Sequence, residues 1–268
     1  MIAFPHSKIN LGLSIVSKRA DGFHNLETIF YPLLLRDVLE IVPSEGLQFF
    51  QTGLEIPGET KDNLILRAYW LLKEKYPQTK PLHIYLHKVI HVGSGLGGGS
   101  ADAAELLLLI NDLFKLRMSM VELEALALEL GSDCPFFIQP SPCYAGGRGE
   151  ILEPLSLDLS GYSFLLVHPI ISVDTKWAFT KIKPLSPKFD LKVSIRQPVQ
   201  KWPQYLFNDF EAPVFADYPF LKKIKNQLYE AGALFASMTG SGSTIYGIFD
   251  KALLPEIVVE NASQTIIR

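Results

Sequence analysis

Ile9, Leu11 and Leu13 alternate with Asn10, Gly12 and Ser14, the period-two pattern of a strand. The polar stretch KRADGFH, Lys18 to His24, follows with an Asp-Gly turn signal. Apolar-rich runs over Leu26–Leu35 and Val38–Val42 predict two further strands. Asp62 then opens DNLILRAYWLLKEKY, where helical apolar spacing runs from an Asp cap to a stop at Pro77. LHIYLHKVIHV returns to alternation and predicts a strand. Helices are predicted from about Ala101 to Lys115 and from Met120 to Leu130, the second ended by Gly131.

From Asp133 to Glu150 the pattern is irregular. SFLLVHP then reads as a buried strand stopped by Pro169, and Lys183 to Pro203 as loops or short helices. Tyr218 to Ala231 predicts a helix ended by Gly232, and ALFASMTGSGSTIYGIF a strand, a small-residue turn and a strand. Strands and helices mix without a βαβ rhythm, which favours α+β. A change of character near residues 150–158 divides the chain into 1–152 and 153–268.

The segment VGSGLGGGS, Val92 to Ser100, packs five glycines and two serines ahead of a helix-forming run. Glycine lets backbone approach a ligand closely. The first N–H groups of the following helix have no intrahelical partner, so the layout suits phosphate. The Gly-Lys-Ser/Thr ending of a Walker loop is absent. Ser100 suits a helix cap, a phosphate contact or Mg²⁺.

Three more groups carry possible chemistry. Lys8 and Asn10 share one strand face, which suits either a solvated lysine or a paired interior charge. Asp133 precedes Cys134, Pro135 and two phenylalanines. It suits the cap of a short helix, or a carboxylate held beside a hydroxyl whose proton it takes. MTGSGST, Met238 to Thr244, suits a hairpin turn or a second backbone-amide surface. His83, His87 and His91 are four apart on a predicted strand, about 13 Å per interval, too far to share a metal ion.

Composition narrows the class. The chain has 268 residues, is 48% hydrophobic and carries a net charge of −3. The slightly acidic balance argues against a nucleic-acid binder. Leu106–Ile110, the longest apolar run, is too short to span a membrane. The two cysteines, Cys134 and Cys143, make no disulfide framework, and no signal-like segment is evident, so a cytoplasmic protein is expected.

Together these segments resemble the small-molecule kinase superfamily named for galactokinase, homoserine kinase, mevalonate kinase and phosphomevalonate kinase. The GLGGGS loop at Gly95 to Ser100 is its shared signature. KINLGL and KRADGFH, with LGSDCPFFI, GGRGEILEPL and MTGSGST, are most similar to its branch acting on a cytidine diphosphate substrate.

The resemblance implies a two-lobed α+β fold with the active site in a cleft between the lobes. It also implies ATP with Mg²⁺, and phosphorylation of the 2-hydroxyl of a cytidyl methylerythritol on the non-mevalonate route to isoprenoids. Lys8 and Asp133 would be the catalytic pair, and Asn10 would help position the methylerythritol. Phe23 and His24 would meet the cytosine, with Phe179 a second stacking partner. His91, Val92, Gly93, Ser94, Gly95, Leu96, Gly97, Gly98, Gly99, Ser100 and Ala101 would wrap the ATP phosphates. Gly240, Ser241 and Gly242 would face the substrate.

The superfamily usually has proline at His91 and serine at Ala101, and often an apolar residue at Cys134; none of these changes the reaction class. A sister kinase for mevalonate, phosphomevalonate or homoserine is the alternative, against which Phe23 and His24 count because those substrates lack a base. A catalytically silent ligand-binding relative is the other, against which Lys8 and Asp133 count.

Overall fold

The computed structural model describes residues 1–59, 62–253 and 257–268. In chain order the strands and helices begin with β1 (Ile2–Ala3), β2 (His6–Lys18), β3 (His24–Arg36), β4 (Val38–Pro43), β5 (Gln48–Gly53), α1 (Leu64–Lys75), β6 (Leu82–Lys88), α2 (Gly98–Leu113) and α3 (Met120–Leu130). A 3₁₀ turn covers Cys134–Ile138. Then come β7 (Cys143–Gly146), β8 (Ile151–Pro154), β9 (Tyr162–Pro169), α4 (Thr175–Thr180), α5 (Leu191–Ser194), α6 (Glu211–Asp217), α7 (Pro219–Glu230), β10 (Phe235–Met238), β11 (Ile245–Asp250) and β12 (Ala262–Ile267). The class is α+β, as expected.

The chain forms two compact units, and they are not the sequential halves 1–152 and 153–268. One comprises Met1–Lys8, Pro32–Val92 and Gly97–Pro140; the other comprises Ile9–Tyr31, Gly93–Leu96 and Ser141–Arg268. The physical reason is the length of β2 and β3. Each runs for 13 residues, and each passes from one unit into the other. Composition reads a boundary only where the chain itself changes character.

In the first unit the sheet order is β1-β4-β6-β5. Leu39 pairs with Leu86 and Ile41 with Ile84, so one face of the antiparallel β4–β6 ladder is apolar and fully buried. β5 joins β6 in parallel. Helix α1 starts at Asn63, not Asp62, because the Asn63 side chain accepts from the Ile65 amide at 2.9 Å. α3 is set by a capping box between Ser119 and Glu122, and its bounds are those predicted.

In the second unit β10-β11-β9-β12 form an antiparallel sheet. Its core includes Leu165, Val167, Met238, Ile245 and Phe249, with Leu221, Ile224 and Leu228 of α7. The order β2-β3-β7-β8 gives a further sheet. β7 emerges from the segment that looked irregular, because Pro, Gly and Cys interrupt any alternation there, and β8 follows directly after it. Among the described residues no helix is long and apolar enough to cross a membrane.

Candidate active site

Lys8 is buried, although it lies in a strand that reads equally well with one solvated face. Its neighbours Ile9 and Leu11 are buried too, as is Asn10, so this part of β2 is covered on both sides. An ammonium in such a place needs a counter-charge. Asp133 supplies it, with Oδ2 3.3 Å from Lys8 Nζ. The Asp133 side chain is 37% exposed, while that of Lys8 is 4% exposed. Asp133 holds the N-cap position of the 3₁₀ turn with proline behind it, yet its side chain makes no capping hydrogen bond. Its carboxylate is engaged by Lys8 instead of by the turn's amides.

The pair sits against the start of α2. A Cβ placed on Gly97 would lie 3.2 Å from Lys8 Cγ and 2.7 Å from Phe137 Cζ. Gly97 has φ +74° and is the N-cap, so α2 begins three residues before the predicted Ala101. Its first turn holds no acidic residue and no side-chain cap. The N–H groups of Gly98, Gly99 and Ser100 therefore lack intrahelical partners. Ser100 is inside the helix rather than its cap, near the Cys134 thiol. Burial pushes that thiol up to about 11, so it stays protonated and unreactive.

The first half of the glycine loop is built differently. A Cβ at Gly95 would fall 2.1 Å from the Thr239 carbonyl oxygen. The Ser94 carbonyl accepts from the Thr244 amide at 3.2 Å. Thr239, Gly240, Ser241 and Gly242 form the turn from β10 to β11, with the Thr239 amide donating to the Thr244 carbonyl. The Asn208 carboxamide donates to the carbonyls of Met238 and Gly240, 2.8 Å each. Asn10 donates its side-chain N–H to Thr28, and its Oδ1 lies 3.2 Å from the Thr239 hydroxyl. Asn10 thus ties β2 to the second glycine turn, a structural duty that strand spacing did not show.

The aromatic residues expected at the base divide into two contacts. His24 stacks on Phe179 at 4.9 Å and 16° between planes. Phe23 is 47% exposed and lies beneath the Arg148 guanidinium. Burial, with help from the Lys18 charge, lowers the His24 pKa. His91 is lowered as well, by burial. Ser241 meets Thr175 at 3.0 Å. Gly93 and Val92 are exposed, while Leu96 and Ala101 are buried and serve packing.

Residues 63–140 match the GHMP kinases N terminal domain and residues 197–266 match GHMP kinases C terminal. The 4-diphosphocytidyl-2-C-methyl-D-erythritol kinase of Bacteroides fragilis is 50% identical over 253 residues, covering 93% of this chain and 92% of that protein. This chain belongs to the 4-diphosphocytidyl-2-C-methyl-D-erythritol kinase family. The family's representative in Cytophaga hutchinsonii is 47% identical over 264 residues, covering 98% of this chain and 97% of its own. A crystal structure of 4-(cytidine 5'-diphospho)-2C-methyl-D-erythritol kinase superposes with TM-score 0.79 at 31% identity, covering 94% of this chain and 91% of the other. A mevalonate kinase structure, with TM-score 0.68 at 14% identity and coverage of 100% and 98%, shares the fold.

In this member of the family a buried cluster lies beside the loop that no sequence pattern announces. Lys88 Nζ is 2.5 Å from Asp37 Oδ2 and 2.7 Å from Asp102 Oδ2, and all three side chains are almost wholly buried. Asp37 Oδ1 also accepts from the amides of Val89 and Ile90. A Cβ on Gly98 would come within 2.9 Å of Lys88 Nζ, so the ammonium supports the first residue of α2. Burial raises the Asp102 carboxyl to about 8; the Lys88 charge opposes this and the Asp37 charge adds to it.

Lys88 and Asp102 border a cavity of about 210 Å³. Phe49, Ile56, Pro57, Leu64 and Val92 supply its apolar wall, and Gly99 places the helix start beside it. A lysine with carboxylates 51 residues behind it and 14 ahead leaves no periodic trace. The only hint was an interior lysine at the end of an apolar strand.

Proposed function

We propose that this chain transfers the γ-phosphoryl group of ATP to the 2-hydroxyl of 4-diphosphocytidyl-2-C-methyl-D-erythritol, a step of the non-mevalonate route to isoprenoids. The observation that carries the reading is the Lys8–Asp133 pair packed on the first residues of α2, in a chain half identical to kinases of that name. Its two cysteines are buried free thiols, which suits the reducing cytoplasm.

The roles follow from the chemistry of each group. Phosphoryl transfer asks for positioning and charge stabilisation more than covalent chemistry. The unpartnered amides at the start of α2 bind the phosphates. The cavity whose apolar wall is Phe49, Ile56, Pro57 and Leu64 takes the flat adenine, and Gly99 of the helix start lines the same cavity. Asp133 accepts the proton of the 2-hydroxyl as that oxygen bonds to the γ-phosphorus and the bond to the β-phosphate oxygen breaks. Lys8 keeps Asp133 aligned and offsets charge developing on the transferred group.

Mg²⁺ would neutralise phosphate charge while bound mainly through phosphate oxygens and water. Among the described residues no three His, Cys, Asp or Glu groups are assembled for a metal, a donor set that fits an ion carried on the nucleotide. Ser100 is the loop hydroxyl that would join its shell.

Phe23 supplies a face for the cytosine, and His24 a hydrogen-bonding edge. Phe179, which stacks on His24, is the second aromatic partner for the base. The cytidyl handle thereby contributes binding energy remote from the reacting hydroxyl. The test is ADP release from ATP and Mg²⁺ with the cytidyl compound, mevalonate, phosphomevalonate and homoserine. Turnover confined to the cytidyl compound is expected; turnover with any other compound instead would replace the substrate assignment, and none with any would reject the kinase reading.

A further inference from the structure

The GGRGE turn joins β7 to β8. It is tightly built. The Gly149 amide donates to the Gly146 carbonyl at 3.0 Å, and the Arg148 amide donates to Glu150 Oε2 at 2.6 Å. Gly147 has φ +65°, and a Cβ there would meet Glu150 Oε2 at 2.5 Å. The turn is anchored to the start of β3, where the Leu26 amide donates to the Gly147 carbonyl at 2.7 Å.

Facing it is the β2–β3 connection, which is equally constrained. The Arg19 amide donates to the Phe23 carbonyl at 2.8 Å. Asp21 Oδ1 accepts from the Phe23 amide at 3.1 Å, and the Asp21 carboxylate pairs with the Arg19 guanidinium at 2.9 Å. Two fixed backbones thus bring the Arg148 guanidinium to 4.8 Å from the Phe23 ring centroid. That is inside the range of a cation–π contact.

We propose that Arg148 is a positioning residue for the nucleoside: its guanidinium covers one face of Phe23 and holds the ring in the orientation that stacks on the cytosine. The proposal rests on the reading of Phe23 as the base platform. An aromatic ring on an exposed hairpin tip otherwise samples several orientations, and binding must order it. A guanidinium beneath the ring removes that freedom beforehand. The resulting order, guanidinium, ring, base, uses two kinds of planar group on which nucleobases stack well.

The charge balance argues for bracing over phosphate reading. Arg148 Nε lies 4.0 Å from Glu150 Oε1, and the Arg148 charge also acts on Asp21. Glu150 is this cation's own counter-charge, Asp21 being paired with Arg19, and the guanidinium lies over the Phe23 ring rather than open to a diphosphate.

The test compares Arg148→Met, Arg148→Lys and Phe23→Ala, using cytidine and CDP as competitive inhibitors and the cytidyl methylerythritol as substrate. Arg148→Met is expected to weaken cytidine and CDP by the same factor, about two- to five-fold. The substrate KM should rise by that factor, while kcat, KM for ATP and the thermal midpoint stay at wild-type values. Arg148→Lys, which keeps the cation, should recover affinity to within about two-fold of wild type. A loss confined to CDP, with cytidine unchanged, would make Arg148 a diphosphate ligand and overturn the proposal. So would an unchanged KM in Arg148→Met when Phe23→Ala raises it. An unchanged KM in Phe23→Ala would instead remove the base-platform reading on which the proposal stands.

Discussion

Lys8 and Asp133 show how one side chain's environment decides its chemistry. Lys8 is placed where an unpaired ammonium would be costly, and Asp133 is about a third exposed to solvent. Replacing Lys8 by Met removes the charge and keeps the bulk. A loss of kcat of about 100- to 1,000-fold is expected, the usual consequence of deleting one preorganised electrostatic contact. Steady-state kinetics checks it, and a Met variant with wild-type kcat would remove Lys8 from the mechanism. At this scale the sequence was informative unevenly. The KINLGL and SDCPFF segments marked both residues through their resemblance to relatives, whereas spacing alone left each with a plain structural alternative. The Lys88 cluster was illegible, since its two carboxylates come from β4's leading edge and from α2, and only folding brings them to one ammonium.

Among the elements, α2 carries the strongest expectation. Gly97 adopts φ +74° at the N-cap, and a methyl there would press on Phe137 and Lys8. Gly97→Ala is expected to cost about 1–3 kcal/mol in stability, because the left-handed backbone is retained against a Cβ. It should also raise KM for ATP by displacing the first turn. Denaturant unfolding and steady-state kinetics read the two effects, and a variant with unchanged ATP affinity would separate this glycine from the phosphate site. Helix α3 is the contrast. Ser119→Ala deletes the cap and should cost about 1 kcal/mol while leaving kcat unchanged. Periodic elements such as α3 and α7 were legible because a single buried face repeats along them. The start of α2 was misplaced because glycine carries no apolar signal, although the loop that leads into it was legible. β7 and β8 were missed for a related reason: four-residue strands are too short to show a period.

For the whole molecule, the buried Asp102 links folding to pH. Burial holds its carboxyl in the fold well above the usual carboxylate range, pushed up to about 8 from the ordinary 3.8. Between those values the folded chain holds a proton that the unfolded chain has released. Stability from this group is therefore greatest at low pH and is lost as pH rises through the folded value. Asp102→Asn, which cannot titrate, should flatten the fall in stability between pH 5 and about 8.5. Parallel pH profiles for the two proteins would contradict that linkage. The division into units was the least legible feature of all, since β2 and β3 belong to both and no composition change marks the crossing points. The fold class and reaction type, by contrast, followed from motifs spread along the chain.

Whether the Asp133 carboxylate takes the hydroxyl proton in phosphoryl transfer decides the role of the Lys8–Asp133 pair. The most direct measurement is single-turnover transfer from ATP to the cytidyl methylerythritol by Asp133→Asn, with ATP affinity measured in parallel. The expected result is a transfer rate lower by about 100- to 10,000-fold, the usual contribution of a general base, with ATP affinity close to wild type. Transfer at the wild-type rate, from protein that binds ATP normally, would show that the Lys8–Asp133 pair is structural and that the chemistry is carried elsewhere.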